Sequence, residues 1–182
     1  MPIFEKKKMN GHTQAQYAAN RLTTLLFAIY LVALGWILLF KMGVRFSYMK
    51  ARRVQLIPFN EPSILSGENI MNVVVFIPLG IYAAILFKRW SFGIKVLSFC
   101  LLSTLVEVLQ YILSIGAFDI TDILTNTLGG IIGWMMYKGL VLAFRDSSKA
   151  QRFLNMFAAA ATIVMILLLV LLKMNMLPVR YQ

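Results

Sequence analysis

One cysteine, one histidine and seven acidic residues are all that 182 positions contain, and each scarcity removes a class of chemistry. Cys100 sits alone within an apolar run, so no intrachain disulfide can form and the thiol reads as packing. His12 lies in the polar N-terminal stretch, outside every apolar run. Ser–His hydrolysis, zinc proteolysis and histidine-dependent lipid phosphatase chemistry therefore lack their imidazole. Charged residues make up only 14% of the chain, too little polar surface to clothe a soluble domain of this size. There is no internal repeat and no low-complexity segment, which leaves an inverted-repeat transporter without support. No metal and no cofactor are expected.

What is abundant is apolar. Hydrophobic residues reach 60% and the mean hydropathy is +0.77, so the excess must face lipid. Five apolar runs, at 22–40, 70–87, 94–115, 122–144 and 155–172, each come near the roughly 20 residues needed to cross about 30 Å of hydrocarbon. The expected fold is all-α, an integral membrane bundle of five transmembrane helices. Residues 1–21, with Lys6, Lys7, Lys8 and Arg21, form a polar tail. Its order resembles a signal peptide, but the following run exceeds the usual apolar core of roughly 7 to 15 residues and no small-x-small cleavage site follows. The connection 41–69 carries Lys41, Arg45, Lys50, Arg52 and Arg53, then Pro58 and Pro62, and reads as an interfacial segment lying on the membrane.

Basic residues set the orientation. With the N-terminus inside, eleven Lys and Arg lie on the cytoplasmic side and seven outside, which favours a cytoplasmic tail, an external 41–69 connection and an external C-terminus. Phe46 and Tyr48 interleave with Lys50, Arg52 and Arg53 in a pattern that could stack single-stranded nucleic acid. Its place beside a membrane span favours headgroup contact instead, and no nucleic-acid partner is expected.

Polar side chains within the runs are few, and they align. Ser103, Glu107, Gln110 and Ser114 recur at spacings of four, three and four, one face of a helix. Asp119, Asp122, Asn126, Gly129 and Gly133 form a second stripe at three, four, three and four. The short turn at 116–121 makes the two runs antiparallel neighbours, so the stripes meet. Glu107 then lies roughly 12 Å below the external end of its helix, level with Asn126, and Asn72 joins the layer from the second run. A central charge costs about 2.5 to 3.5 kcal/mol on insertion scales, so such a cluster needs a reason.

For Glu107 the plain reading is a protonated carboxyl bonded to Asn126 or Asn72 as interhelical glue; the sharper one is ligand recognition or proton transfer, and Gln110 and Asn72 share its role. Asp119 and Asp122, near the interface, fit an N-cap or solvated loop as readily as a site. Gly129 and Gly133 allow close approach of another helix, read here as packing between the third and fourth runs around the polar layer. Pro78 with Gly80 is expected to break or bend the second run, its freed carbonyls satisfied in the same cluster.

These residues also carry a resemblance. Asn72-Val-Val-Val-Phe76-Ile-Pro78-Leu-Gly80, then Glu107-Val-Leu-Gln110, then Asp119-Ile-Thr-Asp122-Ile-Leu-Thr-Asn126-Thr-Leu-Gly129 resembles the VanZ-like family of bacterial membrane proteins, and Leu56-Ile57-Pro58-Phe59 matches its upstream motif. The resemblance spans 56–139 and implies Asn72, Pro78, Glu107, Gln110, Asp122 and Asn126 as functional positions. The family is named for a member giving low-level teicoplanin resistance, which implies an envelope protein affecting drug access or binding. The chain departs where many relatives carry an arginine before the acidic motif: Gly116 and Ala117 precede Phe118-Asp119.

Three functions follow as expectations. The first is a non-enzymatic envelope protein whose outward polar pocket, of Asn72, Glu107, Gln110, Asp119, Asp122 and Asn126, binds a glycopeptide, a lipid-linked cell-wall precursor or a headgroup. The second is a membrane enzyme on a lipid-linked substrate, with Glu107, Asp119 and Asp122 as candidate catalytic carboxylates. The third is a proton-coupled transporter titrating Glu107, for which a homo-oligomer would supply the missing symmetry.

Overall fold

The structure, a computed structural model, describes residues 11–39, 54–59 and 66–173. Residues 1–10, the basic stretch 41–53 and Pro62, all read above as tail or interfacial segment, lie outside the described residues. The order is α1 (Gly11–Leu39), β1 (Val54–Gln55), α2 (Gly67–Leu86), α3 (Phe92–Leu113), β2 (Phe118–Asp119), α4 (Ile120–Phe144) and α5 (Ser147–Lys173). All five helices are long and apolar enough to cross a membrane. The chain is a multi-pass membrane protein, and its solvent is the bilayer. Large side chains such as Val32, Leu101, Leu142 and Ile163 stand outward, as lipid contact requires.

Local chemistry sets the helix ends. The Ser66 hydroxyl accepts from the Asn69 N–H at 3.2 Å and Ser91 from the Ile94 N–H at 3.3 Å, so each starts its helix with a donor already satisfied. Asp119 does the same for α4, accepting from the Thr121 N–H at 2.7 Å. At the end of α3, Ser114 turns left-handed at φ 56°, and the Ile115 N–H returns to the Gln110 carbonyl at 3.0 Å. α1 begins at Gly11, well before the apolar run read at 22–40. The alternation of direction gives two ends: the α3–α4 end, where β1 also lies, and the α2–α3 end, where α5 begins.

The tightest interhelical contact joins α2 to α4, not α3 to α4 as the glycine stripe suggested. A Cβ on Gly129 would stand 2.2 Å from the Val73 carbonyl oxygen, and one on Gly133 1.9 Å from that of Ile77. Gly80 on α2 reciprocates, its Cβ position falling 1.9 Å from the Gly130 carbonyl oxygen. Backbones this close gain dispersion contacts, which drive association where lipid supplies no hydrophobic contrast. Only Gly130 of the set faces α3, against the ring of Phe99.

Pro78 does not break α2, which runs through it as one helix. The carbonyl of Val75, three residues before it, receives the Tyr30 hydroxyl at 2.7 Å, which ties this turn of α2 to α1; the carbonyl that Pro78 leaves without its N–H donor is that of Val74. Around it Phe27, Tyr30 and Tyr82 pack ring on ring, with centroids 5.3 to 6.5 Å apart. Leu34, Leu38, Phe76, Leu79, Ala83, Phe99 and Val106 complete the core between α1, α2 and α3.

A second polar seam, unforeseen in the sequence, ties α1 to α5. The Thr23 hydroxyl lies 2.9 Å from Asn155 Oδ1, the Gln151 amide donates to Thr23 at 2.8 Å and to Asn20 at 3.0 Å, and the Asn155 amide donates to the Ala19 carbonyl at 3.0 Å. Thr23, Gln151 and Asn155 are buried, so each bond replaces water that the interface excludes.

Candidate functional site

At the α3–α4 end the two stripes do meet. α3 brings Ser103, Glu107 and Gln110, α4 brings Asp122 and Asn126 with Asp119 as its cap, and α2 adds Asn69 and Asn72. All but Asp119 are buried.

The layer has a depth order. Nearest the mouth, β1 pairs in parallel with β2, Val54 with Phe118 and Gln55 with Asp119, so the segment before α2 folds back onto the α3–α4 turn. The Phe59 N–H donates to Thr121 Oγ1 at 3.1 Å, fixing that fold-back. Phe59 itself is left-handed, at φ 55°. One step inward, the Asn72 amide donates to Asp122 Oδ1 at 2.7 Å, linking α2 to α4. Beside it, Glu107 Oε2 accepts from the Asp119 N–H at 3.1 Å, linking α3 to the turn. Deepest, the Asn126 amide donates to Ser103 Oγ at 2.8 Å.

Glu107 thus holds the turn's backbone, and Asn72 and Asn126 are engaged by Asp122 and Ser103, a different pairing from the Glu107–amide bond expected above. Gln110 faces α1, donating to the Leu38 carbonyl at the last turn of that helix. The Asp119 side chain serves as N-cap, and Asp122, in the first turn of α4, sits where the helix dipole favours an anion. Asn126 Oδ1 is the one buried side-chain N or O atom without a hydrogen-bond partner among the described residues. An unmet buried acceptor of this kind costs about 1 to 3 kcal/mol.

Among the described residues, spaces open on the layer in two directions. Above it, Gln55, Phe59, Glu68, Asn69, Asp119, Thr121 and Asp122 enclose about 20 Å³, room for a water or small ion. Beside it, between α1 and α2, a cleft of about 390 Å³ is lined by Ile37, Leu38, Met71 and Val75 with Gly67, Glu68 and Asn72. Asn72, bonded to Asp122, and Glu68, which lines both spaces, connect this cleft to the Asp122 side of the layer. Glu107, Gln110 and Asn126 line neither space. Of the six predicted positions, Asn72, Asp119 and Asp122 are therefore at the rim, and the other three lie beneath. Glu68 and Asn69, missed in the sequence, are at the rim too. Their signal was position alone, four and three residues before Asn72 on the same helix.

The chemistry is that of an acceptor surface. The carboxyl oxygens offer acceptors, and the amides both accept and donate. A ligand that brings hydroxyl, amide or ammonium donors on an apolar body fits such a cleft.

Comparison with known proteins bears on this arrangement. The chain is 39% identical over 131 residues to Protein VanZ of Enterococcus faecium, covering 70% of this chain and 80% of that protein. No solved structure matches it. Residues 27–145, which contain α2, α3, α4 and every residue of the acid–amide layer, match the VanZ/LLP1 family, and the chain belongs to that family.

Proposed function

We propose that the chain is a non-enzymatic envelope protein of the bacterial cell membrane, oriented with its N-terminus in the cytoplasm. On this reading its α3–α4 end faces outward and holds the polar head of an amphiphile. The observation that carries the reading is the cleft of about 390 Å³ beside α1 and α2. It has an apolar wall of Ile37, Leu38, Met71 and Val75 and a polar end at Glu68 and Asn72, continuous with Asp122. An acyl or aglycone body would lie against the wall while sugar hydroxyls and amines meet the acceptors. The space over Asp119 and Asp122 is water-sized, so the head docks at the rim and does not enter the layer. Glu107, Gln110 and Asn126 then act from beneath, fixing the turn and the rim helices in place.

A glycopeptide such as teicoplanin, a lipid-linked cell-wall precursor and a lipid headgroup all have the required chemistry. The relation to Protein VanZ makes the glycopeptide the first to test. Expression in a susceptible host should raise teicoplanin tolerance, and Asp122→Asn should lower it at equal membrane abundance. Tolerance unchanged by Asp122→Asn would remove the rim from the mechanism.

A further inference from the structure

The opposite end of the bundle carries a second place that could take a ligand, of reversed charge. A cleft of about 400 Å³ opens between α2, α3, α4 and the start of α5, lined by Lys88, Lys95 and Lys138 together with Trp90, Trp134 and Tyr137. No carboxylate lines it among the described residues. The one acid of the adjoining turn, Asp146, is turned onto α5 as its cap, accepting from the N–H groups of Ser148 at 2.7 Å and Lys149 at 3.4 Å.

Lys95 is the unusual member. It lies in the first turn of α3 and is only 4% exposed, yet among the described residues no acid lines the cleft beside it. Its ammonium group donates to the Trp90 carbonyl, which holds it in place and uses one of three donors. The charge of Lys138 opposes it across the cleft, with the Lys138 ammonium 5.7 Å from the centroid of the Trp134 ring. The N-terminus of α3, at Phe92 on the cleft wall, adds its positive dipole end. Two ammonium groups held together at a helix N-terminus, with no carboxylate lining the cleft among the described residues, form a receptor for an anion.

Depth and surroundings say which anion. Lys138 stands six residues before the end of α4, about 9 Å along the helix, the level of headgroups and glycerol rather than of bulk water. Phe92, Ile94, Leu97 and Met135 are exposed on the neighbouring faces of α3 and α4, an apolar track for acyl chains. Trp90, Trp134 and Tyr137 supply the amphipathic rings that favour the membrane interface. We propose that this cleft binds the phosphate of an anionic phospholipid headgroup, with Lys95 and Lys138 as its direct partners and Lys88 at the rim. The site is independent of the acid–amide layer and would stand if that layer bound nothing.

Tryptophan fluorescence reads the site directly, because two of the three tryptophans line it. With Trp36→Phe removing the third, the protein in phosphatidylcholine nanodiscs is titrated with brominated phosphatidylglycerol or brominated phosphatidylcholine. Quenching should favour phosphatidylglycerol, and the preference should fall roughly fivefold for each lysine replaced in Lys95→Gln and Lys138→Gln. Equal unfolding midpoints in pure phosphatidylcholine show that a variant is folded; should Lys95→Gln fail this control, the exposed Lys138→Gln carries the comparison. Equal quenching by both lipids, or a preference untouched by either substitution, overturns the proposal. Relief of quenching by millimolar inorganic phosphate would assign the cleft to a free anion and overturn the lipid.

Discussion

The Asn72 amide nitrogen stands 2.7 Å from Asp122 Oδ1, and this contact joins α2 to α4 where the apolar cleft meets the acid–amide layer. Both side chains are buried at the rim of the layer, so each depends largely on the other for this hydrogen bond. Asn72→Leu leaves the Asp122 oxygen without this donor and should lower stability by about 1 to 3 kcal/mol. Asp122→Asn, which keeps the shape and can still accept, should lose less. Thermal unfolding in detergent ranks the two, and the reverse order would mean that the contact contributes little.

The glycine seam predicts a contrast between two positions on one helix. A methyl at Gly133 would sit 1.9 Å from the Ile77 carbonyl oxygen, whereas one at Gly139 meets nothing within 4 Å. Gly133→Ala must push α2 from α4 and should cost about 1 to 3 kcal/mol or more. Gly139→Ala should be neutral or slightly stabilising, since alanine is the better helix former. Equal melting temperatures would show that the helices are not so close.

Much of this arrangement was legible because lipid tolerates polar side chains only in company. The spacing of Ser103, Glu107 and Gln110, and of Asp122 and Asn126, is helical, and a short turn forces their helices together, so their meeting followed from period and connectivity. The partner of the glycine stripe was not legible that way. Gly129 and Gly133 face α2, which is not adjacent to α4 in sequence, and nothing in a helical period says which neighbour a face meets. Gln110 turned to α1 for the same reason. The β1–β2 pairing is two residues long and has no period to read. Thr23, Gln151 and Asn155 escaped notice because they lie at or just outside the edges of the apolar runs 22–40 and 155–172, where polar residues look like ordinary boundary residues, although α1 and α5 extend well past those edges.

That α1–α5 seam is open to a double-mutant cycle. Thr23→Ala and Asn155→Ala each remove one side of the bond at 2.9 Å. Their coupling in unfolding free energy should be about 0.6 to 1.7 kcal/mol, the range of interhelical hydrogen bonds in membranes. Additive effects would mean that α5 is held by packing alone.

Orientation is tested by cysteine labelling after Cys100→Ala clears the background. A cysteine at Ser114, by the α3–α4 turn, should react with an impermeant maleimide on intact cells, and one at the exposed Ser91 only after lysis. The opposite pattern would turn the acid–amide layer toward the cytoplasm and remove its access to extracellular drug.

The most direct measurement is equilibrium binding of teicoplanin to the purified protein in nanodiscs, comparing the parent chain with Asp122→Asn, Asn72→Leu and Gly139→Ala. The parent and Gly139→Ala should bind alike and saturably, and both rim substitutions should weaken binding by about tenfold, the equivalent of one charge-assisted hydrogen bond. Binding by all four proteins with one affinity, or by none, would contradict a head-group site at the rim of the acid–amide layer.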